Sequence, residues 1–251
     1  MLGIERRQAI LNRLLEKRKV HVSDLSEEFG VTAETVRRDL ERLEKEGRVR
    51  RSYGGAVLAR PSNEDLPFNS RKANNTGEKE AIAVKALGLV NSGATLMCDS
   101  STTVLSLVEL LTGKNDLTLI TTSVKILHDF ANSRLNLVAT GGTLRGRSFS
   151  LTGEGARRTL EAHNVDIAVM GCKGLDIDKG IMESNEPEAV LKKIMASQSK
   201  TRILLADHSK FDQVVYRKAL DFSDIDCLVT DREPERAWSE FCRARGIQLI
   251  Y

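Results

Sequence analysis

VSDLSEEFGVTAETVRRDLERL, residues 22–43, reads as two short helices joined by a tight turn. Ser23 stands where an N-cap belongs, and Leu25 and Phe29, four apart, give the first helix an apolar face. Gly30 supplies the permissive backbone of the turn, and Val31 points back to the core. Thr32 can cap the second helix, whose Val36, Leu40 and Leu43 fall on one face at the 3.6-residue period. Glu34, Arg37, Arg38, Glu41 and Arg42 fall on the other side, with Thr35 beside them. A free face that opens on Thr32, Ala33, Glu34 and Thr35 and continues with Arg37 and Arg38 suits a DNA major groove. Its small residues allow close approach, and arginine can read guanine with two hydrogen bonds. The competing reading is a surface helix pair with a solvated charge stripe. The turn spacing and the basic hairpin that follows decide for DNA.

Upstream, Gly3–Lys17 reads as a backing helix, with Ile4, Gln8 or Ala9, Leu11 and Leu14 or Leu15 near helical spacing. His21–Val22 is a short extended lead into Ser23. Downstream, Gly47 is a suitable residue to end the second helix. RVRRSYGGAVLAR, residues 48–60, then predicts a β-hairpin wing: Arg48, Arg50 and Arg51 on a strand, Gly54–Gly55 as turn, Ala56–Leu58 returning. The wing arginines can reach phosphates or a minor groove.

Charge is distributed accordingly. The 251 residues carry a net +3. Residues 1–60 hold 14 Lys and Arg against 10 Asp and Glu, hence +4; the remaining 24 basic and 25 acidic residues give −1. A basic head on a neutral body is the pattern of a nucleic-acid binder. Apolar residues make up 41% and aromatics 4%, which implies an aliphatic core. Cys98, Cys172, Cys227 and Cys242 are widely spaced, with no CxxC and no Cys/His cluster. Buried free thiols in a reducing cytoplasm are expected, with no metal and no cofactor. The N-terminal residues lack a signal-peptide pattern, and no apolar run is long enough to span a membrane.

The run FGVTAETVRRDLERLEKEGRVRRSYGGAV resembles the winged helix-turn-helix head of the DeoR family of bacterial transcriptional regulators, over roughly residues 4–58. The resemblance implies that Thr32–Leu43 is the recognition helix.

After a linker at Arg60–Asn75, with Pro61 and Pro67, the pattern changes to short apolar runs alternating with helices. Strands are predicted at Ala94–Cys98, Leu117–Thr121, Leu135–Ala139, Asp166–Gly171, Arg202–Ala206, Cys227–Thr230 and Ile247–Ile250. Helices are predicted at Glu78–Val90, Thr103–Leu111, Val124–Ala131, Glu154–Ala162, Pro187–Ser197 and Pro234–Arg245. This predicts an α+β winged helix-turn-helix domain at 1–58, a linker at 59–76, and an α/β effector-binding and oligomerisation domain with a mostly parallel sheet at 77–251.

Ligands of such sheets sit at the carboxyl ends of strands. The first end is CDSSTTVLSL, where Asp99, Ser100, Ser101, Thr102 and Thr103 precede a helix and can cradle a phosphate. The second offers Thr122 and Ser123. At the third, Gly141 and Gly142 allow close approach to a ligand, and Arg145 or Arg147 could neutralise it. The fourth carries Lys173, Glu183, Asn185 and Glu186; the fifth carries Asp207 and Lys210. His21, His128, His163 and His208 form no cluster.

"DSSTT", "TGG", "GIMESNEPEA…K" and "ADHSKF" are similar to the effector domain of the same regulators, which is itself similar to ribose-5-phosphate isomerase and glucosamine-6-phosphate deaminase. The similarity implies a phosphorylated sugar or polyol as effector, with its phosphate on Ser100–Thr103. It also implies Lys210 and the Glu183–Glu186 loop near the sugar. Where family members commonly carry an acidic residue, this chain reads Gly171–Cys172–Lys173–Gly174, which makes that corner more positive.

The leading expectation is a cytoplasmic, homo-oligomeric repressor (dimer or tetramer) that a sugar phosphate releases from operator DNA. Two rivals are an active sugar-phosphate isomerase or deaminase, with Asp99 or Glu183 as base, and a DNA-binding head on a body that only oligomerises. Both places where such an isomerase carries its catalytic motifs are altered here, which argues against turnover.

Overall fold

A computed structural model of the chain describes residues 2–17, 19–46, 48–52, 54–58 and 65–251. The chain divides into two compact units, Met1–Glu64 and Asp65–Tyr251.

In the first unit, α1 (Gly3–Lys17), α2 (Val22–Phe29) and α3 (Ala33–Lys45) pack with β1 (Lys19–His21), β2 (Val49–Ser52) and β3 (Gly55–Leu58). The strands form an antiparallel sheet in the order β1-β3-β2. Gly30 takes φ +62°, the left-handed conformation that costs a glycine little, and Thr32 caps α3 by accepting the Thr35 N–H at 3.2 Å. Val36, Leu40 and Leu43 are buried against Ile10, Leu11, Leu14 and Leu25. The wing depends on bare backbone. Gly54 turns at φ +75°, and a Cβ on Gly55 would lie 2.0 Å from the Val20 carbonyl oxygen.

Several local expectations are corrected. Ser23 does not cap α2. His21 holds that position without a side-chain bond, and Ser23 lies in the first turn with its hydroxyl on Asp24. The reason is the strand before it. Pairing runs up to His21↔Gly55, and the Val22 N–H donates to the Gly54 carbonyl at 2.8 Å, so the helix starts without a hydroxyl cap. Ile4 is 75% exposed; the buried stripe of α1 runs through Arg6, Ile10 and Leu14 at four-residue spacing. Gly47, the expected helix end, lies outside the described residues, as do 59–64 of the expected linker and the side chain of Arg50.

Arg6 is buried because of Asp39. That carboxylate, 4% exposed on the inner face of α3, accepts from Arg6 Nε at 2.5 Å and Arg7 Nη1 at 3.4 Å. The pair ties α1 to the back of α3.

The second unit begins with α4 (Phe68–Ala73) and α5 (Thr76–Leu87). There follow β4 (Thr95–Cys98), α6 (Thr102–Leu111), β5 (Thr118–Thr121), α7 (Val124–Asp129), β6 (Asn136–Ala139), β7 (Thr143–Arg145), β8 (Ser150–Thr152) and α8 (Gly153–Glu161). Then come β9 (Val165–Gly171), β10 (Gly174–Asp176), β11 (Gly180–Glu183), α9 (Glu186–Ser197), β12 (Ser199–Leu205), β13 (Arg217–Leu220), β14 (Cys227–Val229), α10 (Arg236–Ala244) and β15 (Gln248–Ile250). Seven strands, each matching a predicted one to within three residues at either end, form a sheet in the order β15-β14-β12-β9-β4-β5-β6. Every neighbouring pair in it is parallel.

Alternate residues feed two cores. Met97, Ile120, Ala168, Met170 and Leu204 pack under α8, α9 and α10 with Leu160, Met195 and Trp238. Leu96, Cys98, Leu119, Val169 and Leu205 pack under α5, α6 and α7 with Ile82, Leu107 and Ile126. The four cysteines are buried and free. Burial pushes the Cys172 thiol up to about 12 and Cys227 up to about 11. No helix among the described residues is long and apolar enough to cross a membrane.

Two parts of this unit were not expected. The segment predicted as linker contains α4, whose Phe68 is 1% exposed in the second core. The hairpin β7–β8 and the antiparallel sheet β10-β11-β13 add to the main sheet.

Truncating Asp39 removes the buried carboxylate that Arg6 and Arg7 share. Asp39→Ala is expected to lower the stability of the head by about 3 kcal/mol. Hydrogen exchange of the α1 and α3 amides in the full-length chain should quicken while the sheet of the body is unchanged. Unaltered α1 protection would show that this pair does not hold the head together.

Candidate nucleic-acid interface and effector site

The outer face of α3 carries the residues expected to meet DNA. Thr32, Glu34, Arg37 and Arg38 are exposed, and Ala33 and Thr35 are half-buried. Glu34 lies 3.6 Å from both Arg37 and Arg38, whose side chains remain 62% and 76% exposed. Such loose surface pairs contribute little and are readily exchanged for a base edge. On the wing, Arg48 is exposed. Arg51 donates from Nε to Glu44 Oε2 at 2.6 Å, and its backbone N–H meets Glu44 Oε1 at 2.9 Å. The hairpin is thereby fastened to α3, and a cleft of about 460 Å³ lies between them, lined by Arg37, Glu44, Arg51 and Gly54 among others.

In the second unit the strand ends converge on a buried ionic network. Asp99 follows β4; its carboxylate accepts the Ser101 N–H at 2.8 Å and the Gly171 N–H at 2.9 Å. Lys192, from α9, donates to Asp99 and lies 3.3 Å from Glu183 Oε1 at the end of β11. Lys192 is 4% and Glu183 1% exposed. Burial alone would push the Lys192 ammonium down, but the charges of Asp99 and Glu183 outweigh it and hold it above the ordinary lysine range. Lys173 reaches Glu183 at 3.9 Å. Burial draws Lys173 down from the ordinary range, with Glu183 opposing.

A second set of contacts continues from the first. Asn185 caps α9 by accepting the Glu188 N–H at 3.0 Å. The Glu188 carboxylate accepts Ser150 Oγ at 2.7 Å and Arg145 Nη1 at 3.1 Å. Arg145 also reaches Asp65 at 2.9 Å, and Asp65 accepts Ser184 Oγ at 2.9 Å. Burial pushes the Glu188 carboxyl up, but Lys173, the Ser150 and Ser148 hydroxyls and Lys192 together bring it down to about 2.

The expected effector residues fall into separate groups. Asp99, Ser101, Lys173, Glu183 and Asn185 are joined through Lys192 and the start of α9. Ser100, Thr102 and Thr103 are buried at the start of α6, where Ser101 accepts the Thr103 N–H at 3.2 Å. Thr122 and Ser123 are buried beside β8. The Thr122 carbonyl accepts the Leu151 N–H at 2.7 Å, and Ser123 caps α7. Lys210 pairs instead with Asp207 at 2.9 Å, and Asp207 accepts Asn75 Nδ2 at 3.1 Å. The glycine at 142 has a structural reason that differs from ligand approach. A Cβ there would lie 2.4 Å from the Thr152 carbonyl oxygen and 3.0 Å from the Ala156 nitrogen, while Gly141 faces open space.

Lys192, Glu188, Ser150 and Asp65 were missed. One signal was available. Lys192 stands among Ala189, Leu191, Met195 and Ala196, and a lysine on the apolar stripe of a helix requires a buried counter-charge.

Residues 6–62 match the DeoR-like helix-turn-helix domain, and residues 74–232 match the DeoR C-terminal sensor domain. The chain is 39% identical over 232 residues to an uncharacterised helix-turn-helix transcriptional regulator of Bacillus subtilis, YulB, covering 92% of this chain and 90% of that protein. It is 28% identical over 250 residues to the glycerol-3-phosphate regulon repressor of Escherichia coli, covering 99% of each. A solved ribose 5-phosphate isomerase A from Methanocaldococcus jannaschii is a more distant likeness, at 18% identity and a TM-score of 0.42 over 55% of each chain. These two relatives are named as a transcriptional regulator and a regulon repressor, and the family match runs through both the DNA-binding and the sensor part. The chain is a DNA-binding transcriptional regulator of the DeoR family.

Proposed function

We propose that this regulator is a cytoplasmic repressor of sugar or polyol metabolism genes, released from its operator when a sugar phosphate binds the second unit. The observation that carries the reading is the end of β4. There, four hydroxyl residues, Ser100–Thr103, are gathered at the N-terminus of the ten-residue α6, with Ser100, Thr102 and Thr103 at most 7% exposed. Unsatisfied helix-start N–H groups and hydroxyls favour a phosphate. The adjoining Asp99, Lys173, Glu183, Asn185 and Lys210 offer donors and acceptors for a polyhydroxylated remainder, with Thr122, Ser123 and Gly141 beside them. A relative named for the glycerol-3-phosphate regulon supports a phosphorylated polyol as the ligand class. A hundredfold loss of operator affinity requires roughly 2.7 kcal/mol of coupling, within the usual range for allostery.

DNA is read by Thr32, Ala33, Glu34, Thr35, Arg37 and Arg38, and the backbone is held by Arg48, Arg50 and Arg51. Arg38→Ala is expected to cost about 1–3 kcal/mol and to relax choice at one base pair. Arg51→Ala should weaken all sequences alike and reduce the salt dependence by about one phosphate contact. Binding titrations across salt concentrations and operator variants check both. Indistinguishable behaviour of the two variants would remove the base-reading role.

A single head offers a small contact, so the active species is a dimer or tetramer on half-sites spaced by about one helical turn or a multiple of it. Sedimentation and footprinting test this; a monomer with full operator affinity contradicts it.

Replacing Ser101 and Thr102 by Ala should abolish the response to a sugar phosphate and leave operator binding intact. Operator binding is measured against a panel of sugar phosphates. Release at the parent's ligand concentrations would show that the phosphate is held elsewhere.

A further inference from the structure

The C-terminal end of a helix disfavours acidic side chains, because its exposed carbonyls already carry negative partial charge. Glu44 is nevertheless the last residue but one of α3, in a final turn that also holds the favourable Arg42 and Lys45. The wing explains its place. β2 is an edge strand in the order β1-β3-β2, so one side of its backbone has no strand to pair with. Arg51, opposite Ala56 in the hairpin, turns its N–H to that open side, and Glu44 Oε1 accepts it at 2.9 Å. Glu44 Oε2 accepts Arg51 Nε at 2.6 Å. One carboxylate thus fixes both the backbone and the side chain of a single residue. The Arg51 N–H, with the guanidinium after it, holds the Glu44 carboxyl below the ordinary range, so it is charged at neutral pH.

The grip on Arg51 is partial. Its guanidinium is held at Nε, the side chain stays 48% exposed, and neither Nη1 nor Nη2 has a hydrogen-bond partner among the described residues. That remaining edge carries the paired N–H groups that match two phosphate oxygens. Arg37 of α3 lines the same cleft as Glu44 and Arg51, so the carboxylate stands among cations on the face expected to meet DNA. A free surface arginine loses rotamer freedom when it grips a phosphate; one already held at Nε loses less.

We propose that Glu44 is a positioning residue for DNA binding, which holds the Arg51 guanidinium with its terminal edge toward a backbone phosphate. The assignment rests on the reading of Arg51 as a phosphate contact and deepens it. Charge alone predicts the opposite sign: an acidic group removed from a DNA-facing surface should strengthen binding.

The test is DNA binding by the full-length regulator from low to high salt. The probes are an operator selected by the parent protein from a random-sequence duplex pool and one unselected duplex. The variants are Glu44→Ala, Glu44→Gln, Arg51→Ala and the double variant Glu44→Ala/Arg51→Ala. Glu44→Ala should weaken both duplexes about tenfold, the loss of one charge-assisted hydrogen bond. It should lower the salt slope by about one phosphate contact, as Arg51→Ala does. The double variant should match Arg51→Ala to within about twofold, since Glu44 acts through Arg51. Glu44→Gln keeps a carbonyl oxygen for the Arg51 N–H but has no anion for Nε. Hydrogen exchange of the wing amides should stay as slow as in the parent, while DNA binding falls nearly as far as in Glu44→Ala. This variant separates the aim of the side chain from the attachment of the wing, and it decides the matter even if Glu44→Ala unsettles the hairpin. If Glu44→Gln binds both duplexes as tightly as the parent or tighter, the assignment is overturned. It is also overturned if the losses of the two Ala variants add in the double one, because Glu44 then works apart from Arg51. If Arg51→Ala itself binds like the parent at an unchanged salt slope, the phosphate contact falls and the role of Glu44 with it.

Discussion

The body of this regulator turns on one buried cation. Lys192 is sealed in among aliphatic side chains and is held there by Asp99 and Glu183. Removing an ammonium from water costs several kcal/mol, and the interior returns that energy only with near-ideal partners. Each partner therefore has a fixed place. Asp99 takes two backbone N–H groups as well as the lysine, and so clasps the end of β4 to the start of α6 and the end of β9. Glu183 brings in β11 and, through Lys173, the loop after β9. Three elements distant in sequence meet at a point set by charge rather than by shape.

The parallel sheet was legible because its strands are buried on both faces. Leu96–Cys98, Ile203–Leu205 and Cys227–Val229 show as unbroken apolar runs, and such runs survive without any alternation to read. The strands missed were of another kind. β7 and β10 have three residues each, TLR and GLD, too few for a period to show. The helix within the expected linker was hidden by Pro67 before it and by polar neighbours around one buried phenylalanine.

The candidate sites divide in the same manner. Hydroxyls at the start of α6 could be read because they are adjacent in the chain. Lys192 could not be paired with Asp99, since 93 residues separate them. Asp39 was hidden among the charges of α3 and could be distinguished only by its partners on α1. In each case the missing information was a long-range contact between charged groups, which periodicity does not encode. Ser23 failed for the opposite reason: a local rule was applied where the Gly54 carbonyl, just before β3, had already taken the Val22 N–H.

The two faces of α3 share no residue. Val36, Asp39, Leu40 and Leu43 dock the helix, while Glu34, Arg37 and Arg38 stand clear of the core. On the proposed reading, anchorage and vocabulary are thus written on separate positions of one helix. The outward set can then be exchanged wholesale, as type is changed in a press, while the frame that holds it stays fixed. If Glu34, Arg37 and Arg38 read DNA as proposed, a lineage built on this head acquires new operators by altering a few exposed side chains, at little cost in folding.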